Sequence, residues 1–145
     1  MDHAIRKNLQ DCFVQQPLMR TLGAIVGSVK DGEVVIELPF HEKLTQHHGF
    51  FHAGVITTIM DNACGGAALS QMPANATVLT VEYKVNFLSP AKGDKLIARG
   101  KVLKSGRALT VCQGEVHVVL DGEEKLVATM LATMMCREMP GSSAE

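Results

Sequence analysis

No surplus of either charge marks the 145-residue sequence, in which 14 Lys and Arg stand against 15 Asp and Glu. A nucleic-acid binder needs a basic excess concentrated on one face, and here Lys and Arg are scattered along the chain. No run of 18 apolar residues is present, which excludes a membrane-spanning helix. The N-terminal MDHAIRKNLQ lacks the apolar stretch of a signal peptide, so a cytoplasmic location is expected. Cys12, Cys64, Cys112 and Cys136 form no C-x-x-C pair and lie in apolar runs, which suits reduced, buried thiols better than disulfides or zinc. There is no internal repeat and no room for a second domain.

What is present is an apolar chain, 46% hydrophobic and only 20% charged, too apolar to be disordered along its length. The expected organisation is an N-terminal helix over 1–20, one domain over 21–136 and a flexible tail over 137–145. Ile5, Leu9, Cys12 and Phe13 have helical spacing that Pro17 interrupts. Two strands are expected between Thr21 and Leu38, turning at Asp31-Gly32. His52 to Ser70 reads as a buried helix, with Val55, Ile59, Ala63 and Ala67 stepping by four, and its Ala and Gly residues would let a sheet curl closely around it.

From Thr77 the pattern turns to strands. Alternation sets Thr77, Leu79, Val81, Tyr83, Val85 and Phe87 on the face expected to cover the helix, with Thr80, Glu82, Lys84 and Asn86 opposite. Three further strands, near 95–104, 107–120 and 123–136, form a meander. The fold class is α+β, a curved antiparallel sheet wrapped around one central helix.

Asp61 stands in the middle of the apolar helix, where an unpaired charge is costly to bury. It either lies on an exposed stripe, accepting bonds from neighbouring backbone, or it is aimed into a pocket as base or nucleophile. At the helix start, His52-Ala53-Gly54 offers free N–H groups backed by the helix dipole, a place to hold developing negative charge. Ala53 and Asp61 are eight residues apart, about 12 Å along a helix axis, too far for one ester or thioester carbon to touch both. If both serve one site, two copies of the chain must share it across a two-fold axis.

The segments QHHGFFHAGVITTIMDNACGGAA and VNFLSPAKGDKLIARGKVLKSGRALTVCQGEV resemble the hot-dog-fold acyl-CoA thioesterases, in particular the phenylacetate-pathway type within the 4-hydroxybenzoyl-CoA thioesterase superfamily. The resemblance runs from about residue 20 to 136 and rests on His52, Asp61 nine residues later, small residues beyond it, Ser89-Pro90 and Gly93-Asp94. It implies the hot-dog fold, with Asp61 as the catalytic carboxylate. It implies an oxyanion hole at the N–H of Ala53, where the family usually has Gly and the added methyl narrows the thioester's approach. Gln46 falls where the family places an Asn or Gln that orients thioester or water, and Thr80 where some members place a water-positioning hydroxyl. Strand alternation nevertheless sets Thr80 on the face away from the helix, unless a bulge turns it inward.

His52 is expected to fix the loop before the helix, and with Gly54 it borders the substrate site. His47, His48 and His52 have no acidic ligand at helical spacing and no zinc signature, so no metal or cofactor is expected. Lys92, Lys104 and Arg107 flank turns and are candidate partners for the anionic end of coenzyme A, or ordinary turn charges. The implied reaction is hydrolysis of an acyl-CoA to free acid and CoA by a homodimer or a dimer of dimers. The alternatives are an acyl-CoA-binding hot-dog protein without turnover, a hydratase, and a relic with its oxyanion hole closed by Ala53.

Overall fold

The computed structural model describes residues 1–138. Asp2 opens helix α1 (His3–Gln15) by accepting the Ala4 N–H. Pro17, which has no N–H to give and a φ already suited to a first turn, starts a second helix, α2 (Pro17–Leu22), and Gly23 closes it at φ 81°. The single helix expected over 1–20 is therefore two helices broken at Gln16. Strands β1 (Ile25–Lys30) and β2 (Glu33–Pro39) form a hairpin around Asp31-Gly32, with Gly32 at φ 74°.

A short 3₁₀ turn (Glu42–Leu44) and a loop lead into α3 (Ala53–Leu69). The remaining strands are β3 (Ala76–Phe87), β4 (Lys95–Ser105), β5 (Leu109–Leu120) and β6 (Glu123–Glu138). All pairings are antiparallel and the sheet order is β1-β2-β4-β5-β6-β3, so β1 and β3 are its edges. Strand β6 continues through Glu138, two residues past the expected domain end, and the rest of the expected tail lies outside the described residues.

Helix α3 packs against β2, β3, β4, β5 and β6, and Ile59, Met60, Ala63, Cys64 and Ala67 are wholly buried. The sheet approaches the helix this closely because two strand positions carry no side chain. A Cβ at Gly100 would fall inside the Ala63 backbone and 2.6 Å from the Cys64 nitrogen, and one at Gly114 would lie 3.0 Å from Cys64 Sγ. Buried Ser70 ties the helix end to the first hairpin: its hydroxyl donates to the Ala67 carbonyl at 2.6 Å and accepts the Gly32 N–H at 2.8 Å. The four cysteines are free thiols, and burial raises the pKa of Cys112 to about 11 and that of Cys64 further still.

Strand β3 departs from the expected alternation. Thr80 pairs with Met134 and Glu82 with Thr133, leaving Val81 as an extra residue, a β-bulge. Residues on either side of it therefore keep different phases. Val85 and Phe87 face inward opposite Met130 and Ala128, as expected, but on the other side of the bulge Thr80 faces inward and Leu79 lies opposite Met135 on the outer face. Leu79 and Val81 are 43% and 56% exposed, so neither covers the helix as the simple alternation had suggested.

Candidate functional site

Asp61 projects from the middle of α3 towards the inward-turned part of β3, where the Thr80 hydroxyl donates to its Oδ1 at 2.8 Å. Thr80 Oγ1 also lies 3.4 Å from Met134 Sδ, so the hydroxyl is held between the carboxylate and the core. Burial raises the Asp61 pKa above the ordinary carboxylate range, and the bond from Thr80 partly offsets this. Such a carboxylate is more basic than one in water. It borders a cavity of about 440 Å³ whose walls come from α1, the start of α2, β1, β2, α3 and β3.

The N-terminus of α3 is built differently. His52 is its N-cap: its own N–H donates to the Leu44 carbonyl at 2.9 Å, and its Nδ1 accepts the Gly54 N–H at 2.8 Å. This fixes the loop before the helix, as expected of His52, and it occupies the Gly54 amide. The Ala53 N–H finds no acceptor among the described residues, and Ala53 is exposed. One uncommitted donor therefore stands at the positive end of the helix dipole.

Gln46 borders the same recess as Ala53, together with Ile56, Phe87, Leu88 and Pro90. A turn holds it there. The Gly49 N–H donates to the Gln46 carbonyl at 3.0 Å, Gly49 takes φ 85°, and the His48 N–H donates to Gln46 Oε1. The structure thus groups the candidates into two pairs, Asp61 with Thr80 and Ala53 with Gln46, bordering separate cavities of one chain.

The candidate cations divide likewise. Lys92 lies before β4, near Phe50 and Pro90, while exposed Lys104 and Arg107 lie at the far end of β4, beside the turn into β5. Eleven strand residues separate the two ends, roughly 35 Å. His47 and His48 are exposed with ring centres 4.0 Å apart, and no group of three potential metal ligands occurs among the described residues. No described helix is long and apolar enough to cross a membrane.

The strand glycines and Asn62 were not singled out in the sequence. Gly100 and Gly114 carried a signal, because an isolated Gly in a strand pattern marks close approach by backbone or ligand. Asn62 carried the same signal as its neighbour, a polar residue in an apolar helix.

Comparison with known proteins agrees with this architecture. Residues 48–124 match the family profile described as the thioesterase superfamily. The crystal structure of a thioesterase family protein of Silicibacter pomeroyi superposes with a TM-score of 0.92 at 46% identity, covering 93% of this chain and 99% of that one. A Halobacterium salinarum protein, named only provisionally as an esterase, is 40% identical over 107 residues, 70% of this chain and 69% of its own. Human acyl-coenzyme A thioesterase 13 is 29% identical over 111 residues, 75% of this chain and 79% of its own.

Proposed function

Because the chain belongs to the thioesterase superfamily, with the hot-dog fold expected from its sequence, we propose that it hydrolyses an acyl-CoA thioester to a free acid and CoA. The reading rests on one observation above the others. A basic, half-buried carboxylate at the middle of one helix and a free N–H at its N-terminus each stand beside a separate cavity. Neither pair is a whole active site.

Two copies would complete it. Strand β3 is a 12-residue sheet edge that exposes Leu79, Val81, Tyr83 and Phe87, and an edge of that length and character invites pairing. Antiparallel β3–β3 pairing continues the sheet and lays two α3 helices side by side in opposite directions. Asp61 and Thr80 of one copy then meet Ala53 and Gln46 of the other, twice per dimer. Such pairing points the Lys92 end of one copy the same way as the Lys104 and Arg107 end of the other, and these three remain the candidate cations for the CoA phosphates. On the outer face, Leu79, Met135 and Leu109 form an exposed apolar row across β3, β6 and β5 where two dimers can associate.

In this site the thioester oxygen sits at the Ala53 N–H, which stabilises the tetrahedral oxyanion. The Gln46 side chain orients the thioester or the water. Asp61 either takes a proton from water as the water attacks, or attacks the carbonyl carbon itself and expels CoA thiolate, leaving an acyl anhydride that water then cleaves. Single turnover in oxygen-18 water tests for the covalent route: label in the Asp61 carboxylate, which enters when water attacks the Asp61 carbonyl of the anhydride, marks it. The reading as a whole is tested by thiol release from a panel of acyl-CoAs. Turnover by the native protein is expected, and binding without CoA release would identify an acyl-CoA-binding protein instead. A stable, fully active monomer in a sizing experiment would overturn the shared site.

A further inference from the structure

A further apolar recess lies where the two N-terminal helices meet the sheet edge β1. It is a groove of about 450 Å³ whose apolar lining is Phe13 and Val14 of α1, Met19 of α2, and Ala24, Ile25 and Val26 at the start of β1. Met19 is buried and anchors α2, but Val14 and Ile25 are 64% and 53% exposed. Large apolar side chains left open along one concave surface mark a place where an apolar group binds. Phe13 and Val26 also border the Asp61 cavity, so the two recesses share a wall.

The polar lining of the groove is Gln10 and Arg20, and Arg20 carries its one charge. Arg20 Nη1 donates to the Val14 carbonyl at 2.9 Å, which fixes the guanidinium at the groove and uses one of its five N–H groups. No carboxylate pairs with Arg20 among the described residues, whose ion pairs use Lys95, Arg99 and Lys101 instead. The remaining N–H groups suit a carboxylate, which a guanidinium binds through two parallel bonds. An apolar trough with a single cation thus complements a hydrocarbon chain that ends in one carboxylate. Pairing with a second copy along this edge fits less well. Strand β1 is six residues long and its register breaks between Val26 and Ser28, features that blunt a sheet edge, whereas β3 runs for 12 residues.

We propose that this groove is a second ligand site, separate from the Asp61 cavity, and that it holds an aliphatic monocarboxylate with its head on Arg20 and its chain along Val14, Met19 and Ile25. The two recesses differ in charge as the proposal requires: the cavity presents the Asp61 carboxylate, which repels a free acid once ionised, and the groove presents a guanidinium. The inference rests on the thioesterase reading only for the origin of the ligand, because hydrolysis of an aliphatic acyl-CoA releases such an acid on the other side of the Phe13 and Val26 wall. An acid held in the groove leans on two residues that also shape the cavity, which couples the product to the site that made it.

The test is binding, which needs no turnover. Decanoate and, as its uncharged match, decan-1-ol are titrated into the native protein, Arg20→Gln and Ile25→Glu, and amide shifts are followed by NMR. Decanoate is expected to shift Gln10, Arg20, Ala24 and Ile25 and to bind more tightly than the alcohol. Both substitutions should weaken it about 10-fold or more, one by removing the partner of its head and the other by placing a like charge beside it. Thermal melts separate this from a merely structural Arg20, whose loss would lower Tm and leave affinity unchanged; that outcome, or equal affinity for the alcohol, overturns the inference. So do shifts confined to Thr77, Val78 and Thr80 around the Asp61 cavity, or no shifts at all. A smaller assembly for Ile25→Glu in a sizing experiment, with no decanoate shifts in the native protein, would assign the groove to a second copy and overturn it too. CoA release by the native protein judges the thioesterase reading separately, so either can fail while the other stands.

Discussion

The Thr80 hydroxyl donates a 2.8 Å hydrogen bond to the carboxylate of Asp61 across 19 residues of sequence, joining the edge strand to the central helix. Burial and this bond act on Asp61 in opposite directions, and burial wins. Removing the bond leaves burial unopposed. In Thr80→Val the acid limb of the pH–rate profile is expected to move to higher pH and kcat to fall about 10-fold, while Thr80→Ser keeps both near native values.

Asp61→Asn separates activity from stability. Loss of the base or nucleophile should lower kcat at least ~100-fold. Because the folded pKa of Asp61 is raised, its favourable contribution to stability is present below the ordinary aspartate value of about 3.9 and is lost as pH rises through the raised one. A neutral Asn escapes that loss. Thermal melts should therefore show Asp61→Asn at or above the native Tm at pH 7, with the two proteins converging below about pH 4.

Mixing two inactive variants tests the shared site. Ala53 is the first residue of α3, a position where proline is tolerated and removes only the N–H of interest. Ala53→Pro and Asp61→Asn should each be inactive alone. Refolded together at equal amounts, they form mixed dimers with one intact site, and roughly a quarter of native activity should return. A site contained in one chain would give no recovery.

Gly100→Ala probes the packing that carries α3. The added methyl has no space beside the Ala63 backbone, so chemical denaturation should report a loss of about 2–3 kcal/mol, or failure to fold. Gly122→Ala, in an open turn at φ 79°, should cost less, since there the penalty is backbone conformation alone.

Most of the fold was legible because its elements repeat short patterns. The strand alternation, the Asp31-Gly32 and Asp121-Gly122 turns and the apolar run of α3 each carry a local signal, and the observed elements fall close to where those signals put them. Asp61 stood out for the same reason, as a charge within an apolar helix. The cavity was not legible, since its walls come from residues as far apart as Leu9 and Thr80. Spacing alone could not tell the N-terminal amides apart, though the family resemblance pointed to Ala53; the structure shows His52 taking Gly54 and leaving Ala53 free. The inward position of Thr80 depends on Val81 having no partner on β6, a property of the pairing and not of either strand alone.

That unpaired valine settles a problem of counting. Thr80 and Phe87 are separated by seven positions, an odd number, and in a uniform strand they would point to opposite sides of the sheet. The extra residue makes the spacing effectively even, so that one strand serves both the neighbourhood of Asp61 and the recess beside Ala53. Deleting Val81 would shorten the chain by a single amino acid while forcing a choice between those two ends. Strand length here is thus as strictly specified as side-chain identity, and an insertion or deletion in β3 should be less forgiving than most substitutions within it.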